Sequence, residues 1–220
     1  AGVNVVRSYA VSTDGAGYRA TIHPILSGTR DLWFRPCDVS TAADGSLIIA
    51  DWYDPGVGGH RQGDIDRGRL FRIAPHGSPW RHPSFEFDTI EGAINGLLSC
   101  NRDARYQGWR KLAGAGSAAE QQLAEIYRQH DNPRFRARAL WLLARLDGRT
   151  QHYLADAAGD ANPDIRIVAV RLARQLQVML PATIRRLTTD AAPAVRRECV
   201  LALCNLPPDS RADLWVPLAQ

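Results

Sequence analysis

Apolar residues alternate with polar ones in the first third of the chain and recur at helical spacing in the rest. Residues 1–75 hold five short runs rich in β-branched and aromatic side chains: VNVVRSYAV, YRATIHPIL, CDVST, SLIIADW and RLFRIAP. Such runs, separated by TDGAG, ADG and a Gly-rich stretch, predict an antiparallel meander. Asp14-Gly15 and Asp44-Gly45 predict hairpin turns, because Gly accepts a positive φ without steric cost. The run HGSPWRHPSFEF holds two prolines and ends the strand pattern. The chain therefore divides into a β segment at 1–80, a linker at 81–87 and a helical segment at 88–220.

The helical segment is internally repeated. DNPRFRARALWLLARL, DANPDIRIVAVRLARQL and DAAPAVRRECVLALCNL align with Pro133, Pro163 and Pro193 spaced 30 residues apart, and the register also holds at Arg136, Arg166 and Arg196. A proline at the first helical position lacks an N–H that would be unpaired there anyway, and Asn132 and Asn162 precede it as N-caps. Ala192 takes that place in the third copy, so this start is expected to be weaker, with Asp190 capping from further back. Ala139, Ala169 and Cys199 share a column, which predicts a small-residue core site for the cysteine. TQHYLADAA, PATIRRLTT and SRADLWVPL supply second helices, and a degenerate earlier copy fits NRDARYQGWRKLAGAG followed by SAAEQQLAEIYRQH.

A helical pair of this length cannot bury its apolar face alone and has to stack on its neighbours. The D-x-x-P-x-V-R type start resembles the HEAT-repeat family, strongly in the last three pairs and weakly in the first. The arginine column has two readings. In a structural ladder each Arg pairs with an aspartate of a neighbouring repeat, for which Asp131, Asp160 and Asp190 are placed; unpaired in solvent, the same arginines would form an anion-binding stripe.

Composition and charge narrow the function. At 220 residues and 45% hydrophobic the chain has room for one large or two small domains. Residues 1–87 carry nine Arg against nine acids and residues 88–220 eighteen basic against fourteen acidic groups, so the net +4 belongs to the helical part. Arg mixed with acids on helices reads as a solvated, salt-bridged face. Without a basic run or an interleaved aromatic stripe, the pattern argues against a nucleic-acid partner. No stretch approaches the roughly 20 apolar residues that cross a bilayer, so no membrane insertion is expected. Cys37, Cys100, Cys199 and Cys204 form no CxxC, CxxCH or zinc pattern. No nucleophile elbow, phosphate-cradling Gly loop or HExxH motif is present.

The densest chemistry lies in ADWYDPGVGGHRQGDIDRGRLFRIAP. Asp51, Asp54, Asp64 and Asp66 offer hard oxygen ligands beside glycines that let carbonyls turn inward, which makes a Ca²⁺ site conceivable, although the spacing is not that of an EF-hand. The competing reading follows from a resemblance: Ile49-Ala50-Asp51 is similar to the apolar-Ala-Asp corner that often ends the second strand of a β-propeller blade, which implies that Asp51 accepts backbone N–H bonds. His60 is either a general base, its pKa lying near neutrality, or a hydrogen-bonded loop histidine. Arg67 and Arg69 are expected to pair with the aspartates and hold this connection against the sheet.

WFRPCDVSTAADGSLIIADWYDP resembles one blade of a β-propeller. Trp33-Phe34-Arg35-Pro36 with Asp38-Val39, then DGSLIIADWYDPGVGGH and DRGRLFRIAP, resemble the membrane-bound dehydrogenase-like proteins of planctomycetes and verrucomicrobia, and the likeness covers nearly the whole chain. It implies α+β in separate domains: a partial β-propeller meander, similar to quinoprotein glucose and sorbosone dehydrogenases, followed by an all-α, HEAT-like α-solenoid. For the parent it implies an extracytoplasmic location in the periplasm or cell envelope, oxidation of a sugar or alcohol, PQQ and Ca²⁺ in the propeller, and haem c in a downstream CxxCH domain that this sequence lacks. Five strands make little more than one blade, whereas propellers have about 4 to 8 blades of four strands. The chain is therefore expected to be a fragment whose catalytic centre is incomplete, with the repeats as a docking or spacer module. The alternative is a non-enzymatic scaffold whose repeat surface grips a protein partner.

Overall fold

In the computed structural model, which describes residues 4–53 and 66–218, an open β-sheet region precedes a stack of adjacent helices resembling a solenoid. The strands are β1 (Val5–Asp14), β2 (Gly17–Ser27), β3 (Pro36–Thr41), β4 (Leu47–Asp51) and β5 (Arg69–Ile73). They do not form one meander. β1 and β2 make a two-stranded antiparallel hairpin, and β3, β4 and β5 a separate three-stranded antiparallel sheet. Between β2 and β3 the chain turns twice in succession, Asp31 N donating to Gly28 O at 3.0 Å and Phe34 N to Asp31 O at 3.1 Å. These local bonds use backbone groups that a continuing ladder would need.

Both pairing irregularities sit at prolines. The β1–β2 register shifts beside Arg7↔Pro24, and the β3–β4 register beside Pro36; a residue without an N–H cannot complete the ladder. Gly15 and Gly45 close the two hairpins at φ +58° and +86°. The β1–β2 hairpin is exposed along most of both faces. Its tip rests on the helices, where Arg197 donates through Nη1 to Ala16 O and lies over the Tyr18 ring at 5.2 Å.

The helices are α1 (Ile90–Leu98), α2 (Arg102–Ala115), α3 (Glu120–Gln129), α4 (Pro133–Leu143), α5 (Thr150–Ala157), α6 (Pro163–Leu176), α7 (Leu180–Leu187), α8 (Pro193–Leu203) and α9 (Ala212–Leu218). α2, α4, α6 and α8 follow one another side by side, while α5 and α7 pack between consecutive members and α3 packs on α4. One continuous core runs through them, from Leu97 and Leu112 through Leu140, Leu143 and Leu172 to Leu203 and Leu214. α4, α6 and α8 begin on the three repeat prolines. Asn132 accepts from Arg134 N and Asn162 from Asp164 N, whereas Ala192 leaves the third start with no side-chain cap.

Helix α1 was not anticipated as a separate element; two glycines among its nine residues weaken the helical signal. Asn101 joins the two regions, capping α2 through Ala104 N at 2.8 Å while donating to Thr41 O at the end of β3 at 2.7 Å. Arg72 on β5 pairs with Asp44 at 2.9 Å and donates to Ser78 O and Pro79 O, holding the extended segment that leads to α1.

Candidate functional site

The end of β4 carries the first polar cluster. Asp51, buried at the sheet corner, accepts from Arg35 N at 2.6 Å and Tyr53 N at 3.0 Å through Oδ1. Its Oδ2 lies 2.7 Å from Arg69 Nε and 2.6 Å from Nη2. Arg69 also pairs with Asp31 at 2.8 Å and lies 4.0 Å from the centre of the Tyr53 ring. The Arg69 guanidinium holds the Asp31 carboxyl below its ordinary range, against a partly opposing desolvation. Both Asp51 oxygens thus already serve a backbone corner and a guanidinium.

Of the other candidate ligands, Asp66 is exposed, and Asp54, Asp64 and the candidate base His60 lie outside the described residues. Among the described residues no group of three or more His, Cys, Asp or Glu could hold a metal ion. Of the four candidate Ca²⁺ ligands, the two in the described residues are therefore Asp51, committed to the corner, and Asp66, in solvent.

The arginine column forms a ladder over its first two members. Arg136 pairs with Asp160 and donates from Nε to Tyr127 O at 2.7 Å. Arg166 grips Asp190 with two parallel bonds of 2.7 Å, from Nε and Nη2. Arg196 donates to the Asp190 carbonyl at 2.6 Å. Asp131 is not part of this ladder: the register position 30 residues before Asp160 is His130, whose Nδ1 accepts from Asn132 N at 3.0 Å. Asp160 and Asp190 make the equivalent bond to Asn162 N and Ala192 N, each at 2.8 Å. Pro133, Pro163 and Pro193 start the helices that carry these arginines.

Three further arginines draw together a site that has no counterpart in the sequence motifs. On α2, Arg105, Tyr106 and Trp109 share one face; on α4 and the turn after it, Arg138, Trp141 and Arg145 follow at i, i+3 and i+7 spacing. These six, with Leu97 at the end of α1, line an open cavity of about 280 Å³. Tyr106 is 57% exposed, and the two indoles are partly buried against the helical core.

Each guanidinium is oriented by carbonyl oxygens. Arg138 Nη1 donates to Leu97 O at 3.0 Å and Ser99 O at 3.2 Å; Arg105 Nη1 donates to Cys100 O at 3.2 Å; Arg145 Nη1 donates to Trp141 O at 2.6 Å and its plane lies 5.0 Å from the Trp141 ring centre. Among the described residues none of the three forms an ion pair with a carboxylate. Burial, followed by repulsion from Arg105 and Arg134, lowers the Arg138 pKa from its usual value, and burial lowers that of Arg145.

The sequence held one signal of this groove. Trp141 stands in the column that carries Arg171 and Leu201 in the next two repeats, so it lies off the core columns. The pairing of its helix with α2 needed the fold. The chain matches no family model, no curated protein and no solved structure.

Proposed function

We propose that this chain is a non-enzymatic interaction scaffold whose helical stack recognises another protein through the groove between α2 and α4. The observation that carries this reading is the groove's composition: two tryptophans, a tyrosine and three arginines around one cavity. Trp, Tyr and Arg are the residues that dominate binding energy at protein interfaces, because each offers a large contact area with a polar edge. Their backbones belong to packed helices or the turn that ends one, so little order has to be created on binding.

The test is selection of a random peptide library, displayed on phage, against the immobilised chain and against Tyr106→Ala. Tyr106 is exposed enough for truncation to leave the fold intact, which circular dichroism checks. Enrichment of a family of peptides on the wild type and its loss on the variant support the scaffold; equal recovery on both would remove the groove from the account.

A second reading follows from the open sheets. Val39 on β3 and Leu70 on β5 are 51% and 74% exposed, and Val11 and Ile22 on the hairpin are comparably bare. Strands in a larger propeller would have such side chains covered, which favours an extracytoplasmic sugar or alcohol dehydrogenase as the parent of this region. Under that reading, the longer parent protein, given PQQ, Ca²⁺ and glucose, would reduce an electron-accepting dye, while this chain alone would not. The scaffold reading predicts no substrate-dependent reduction.

A further inference from the structure

We infer that the α2–α4 groove binds an acidic peptide segment of a partner protein, with carboxylates on Arg105, Arg138 and Arg145 and an apolar side chain against Trp109 and Trp141. This inference rests on the scaffold reading and names the chemistry of its partner.

The repeat itself supplies the comparison. Positions 138, 168 and 198 form one column, occupied by Arg138, Val168 and Glu198. At the far end of the stack, Glu198 on α8 is buried and lies 2.8 Å from Arg171 and 3.9 Å from Arg174 on the preceding helix of its row, α6. At the near end, the same column on α4 carries Arg138, which lines one cavity with Arg105 on the preceding helix of the row, α2, the two bonding the neighbouring carbonyls of Ser99 and Cys100. One junction is charge-complementary and the other is like-charged. Two guanidiniums brought together without a carboxylate repel, so the near junction is completed by an anion from outside the described residues.

The size and shape of the cavity select among anions. About 280 Å³ holds one or two side chains rather than an extended ligand. The indoles and the Leu97 side chain give the ligand an apolar part as well as a charged one, which a free phosphate lacks. A nucleic acid would need cations tracking several successive phosphates. Here the arginines surround a single cavity. Each guanidinium uses only Nη1 for its described bonds, which leaves a planar set of donors for carboxylate oxygens.

The experiment is the phage selection repeated on the full chain with Arg138→Gln and, separately, Arg145→Gln. The second variant guards against the first loosening the end of α1. Affinities of synthesised winners follow by fluorescence anisotropy, with a neutral Gln/Asn version of each peptide and an oligothymidylate of similar length as competitors. The expected result is enrichment of peptides with several Asp or Glu around a bulky apolar residue. Their affinity should fall about tenfold or more with either variant, with added salt, and with the neutral version.

Winners that are neutral or basic, or indifferent to both arginine variants, yet lost with Tyr106→Ala, would overturn the acidic assignment and leave the scaffold standing. Displacement of the peptide by oligothymidylate at lower concentration than by the acidic peptide itself would replace the peptide with a nucleic acid. No enrichment on the wild type over Tyr106→Ala would overturn both this inference and the scaffold.

Discussion

Asp190 joins three repeat features. It receives the bidentate Arg166 pair, bonds Ala192 N ahead of α8, and gives its carbonyl to Arg196. The side chains of Asp190 and Arg166 are only 6% and 15% exposed, so removing the carboxylate strands a largely buried cation. Asp190→Ala should lower unfolding stability by about 3 kcal/mol in urea titration, as breaking a buried pair does.

Burial alone would raise the Asp190 pKa. The bonds from Arg166 and Ala192 N more than reverse this, and the folded value lies below the ordinary one. A depressed carboxyl contributes stability that is complete above the unfolded pKa of about 3.9 and disappears as pH falls through the folded value. Stability should therefore drop below about pH 4, and Asp190→Asn should flatten that part of the profile. Cys199 provides a second residue-scale test. Burial pushes its thiol up to about 12, while Cys37, Cys100 and Cys204 are exposed. Native-state iodoacetamide should modify the three exposed cysteines, with Cys199 following only after denaturation.

At the scale of single helices, α1 and α2 approach so closely that a Cβ at Gly108 would sit 2.3 Å from Ala93 O, a backbone atom that cannot rotate away. Gly108→Ala should destabilise by about 3 kcal/mol. Gly114, near the end of α2, has nothing within 4 Å of its Cβ position, and Gly114→Ala should stabilise by about 0.5 to 1 kcal/mol through helix propensity. The α8 start offers a gain of another kind. Ala192 adopts φ −84°, ψ 115°, close to the −82°, 111° of Asn132, but lacks its capping oxygen. Ala192→Asn should raise stability by about 1 kcal/mol in thermal or urea unfolding.

The helix starts were legible in the sequence because proline and asparagine act locally, in a residue's own turn. Helix α1 was hidden because Gly92 and Gly96 lower its propensity for the sake of packing on partners elsewhere. The break between β2 and β3 was hidden for a similar reason: strand pattern shows which residues extend, while pairing depends on what the Gly28–Phe34 turns do with their own hydrogen bonds.

For the whole molecule, the hairpin and the helical stack differ in how they are held. The β1–β2 hairpin is exposed on both faces and reaches the stack through Tyr18 and Ala16 at its tip, whereas the helices share one core. A two-stranded hairpin without a covering layer is marginal by itself. Trypsin should cut at the exposed Arg19 before Arg136 or Arg166, and Arg197→Ala should accelerate that cut.

The groove belongs to this scale as well. Arg105, Tyr106 and Trp109 lie about one repeat away from Arg138 and Trp141, and only stacking brings them to one cavity. The arginine column was conspicuous in the sequence because it recurs; the groove was not, because its residues break the repeat.

Hydrogen exchange of the chain with and without a selected acidic peptide tests the central claim most directly. Exchange should slow along α2 and α4, around Tyr106, Trp109 and Trp141, with α7 and the β3–β5 sheet unchanged. Slowing confined to the sheet, or to α5 and α7, or none at all under saturating peptide, would contradict this.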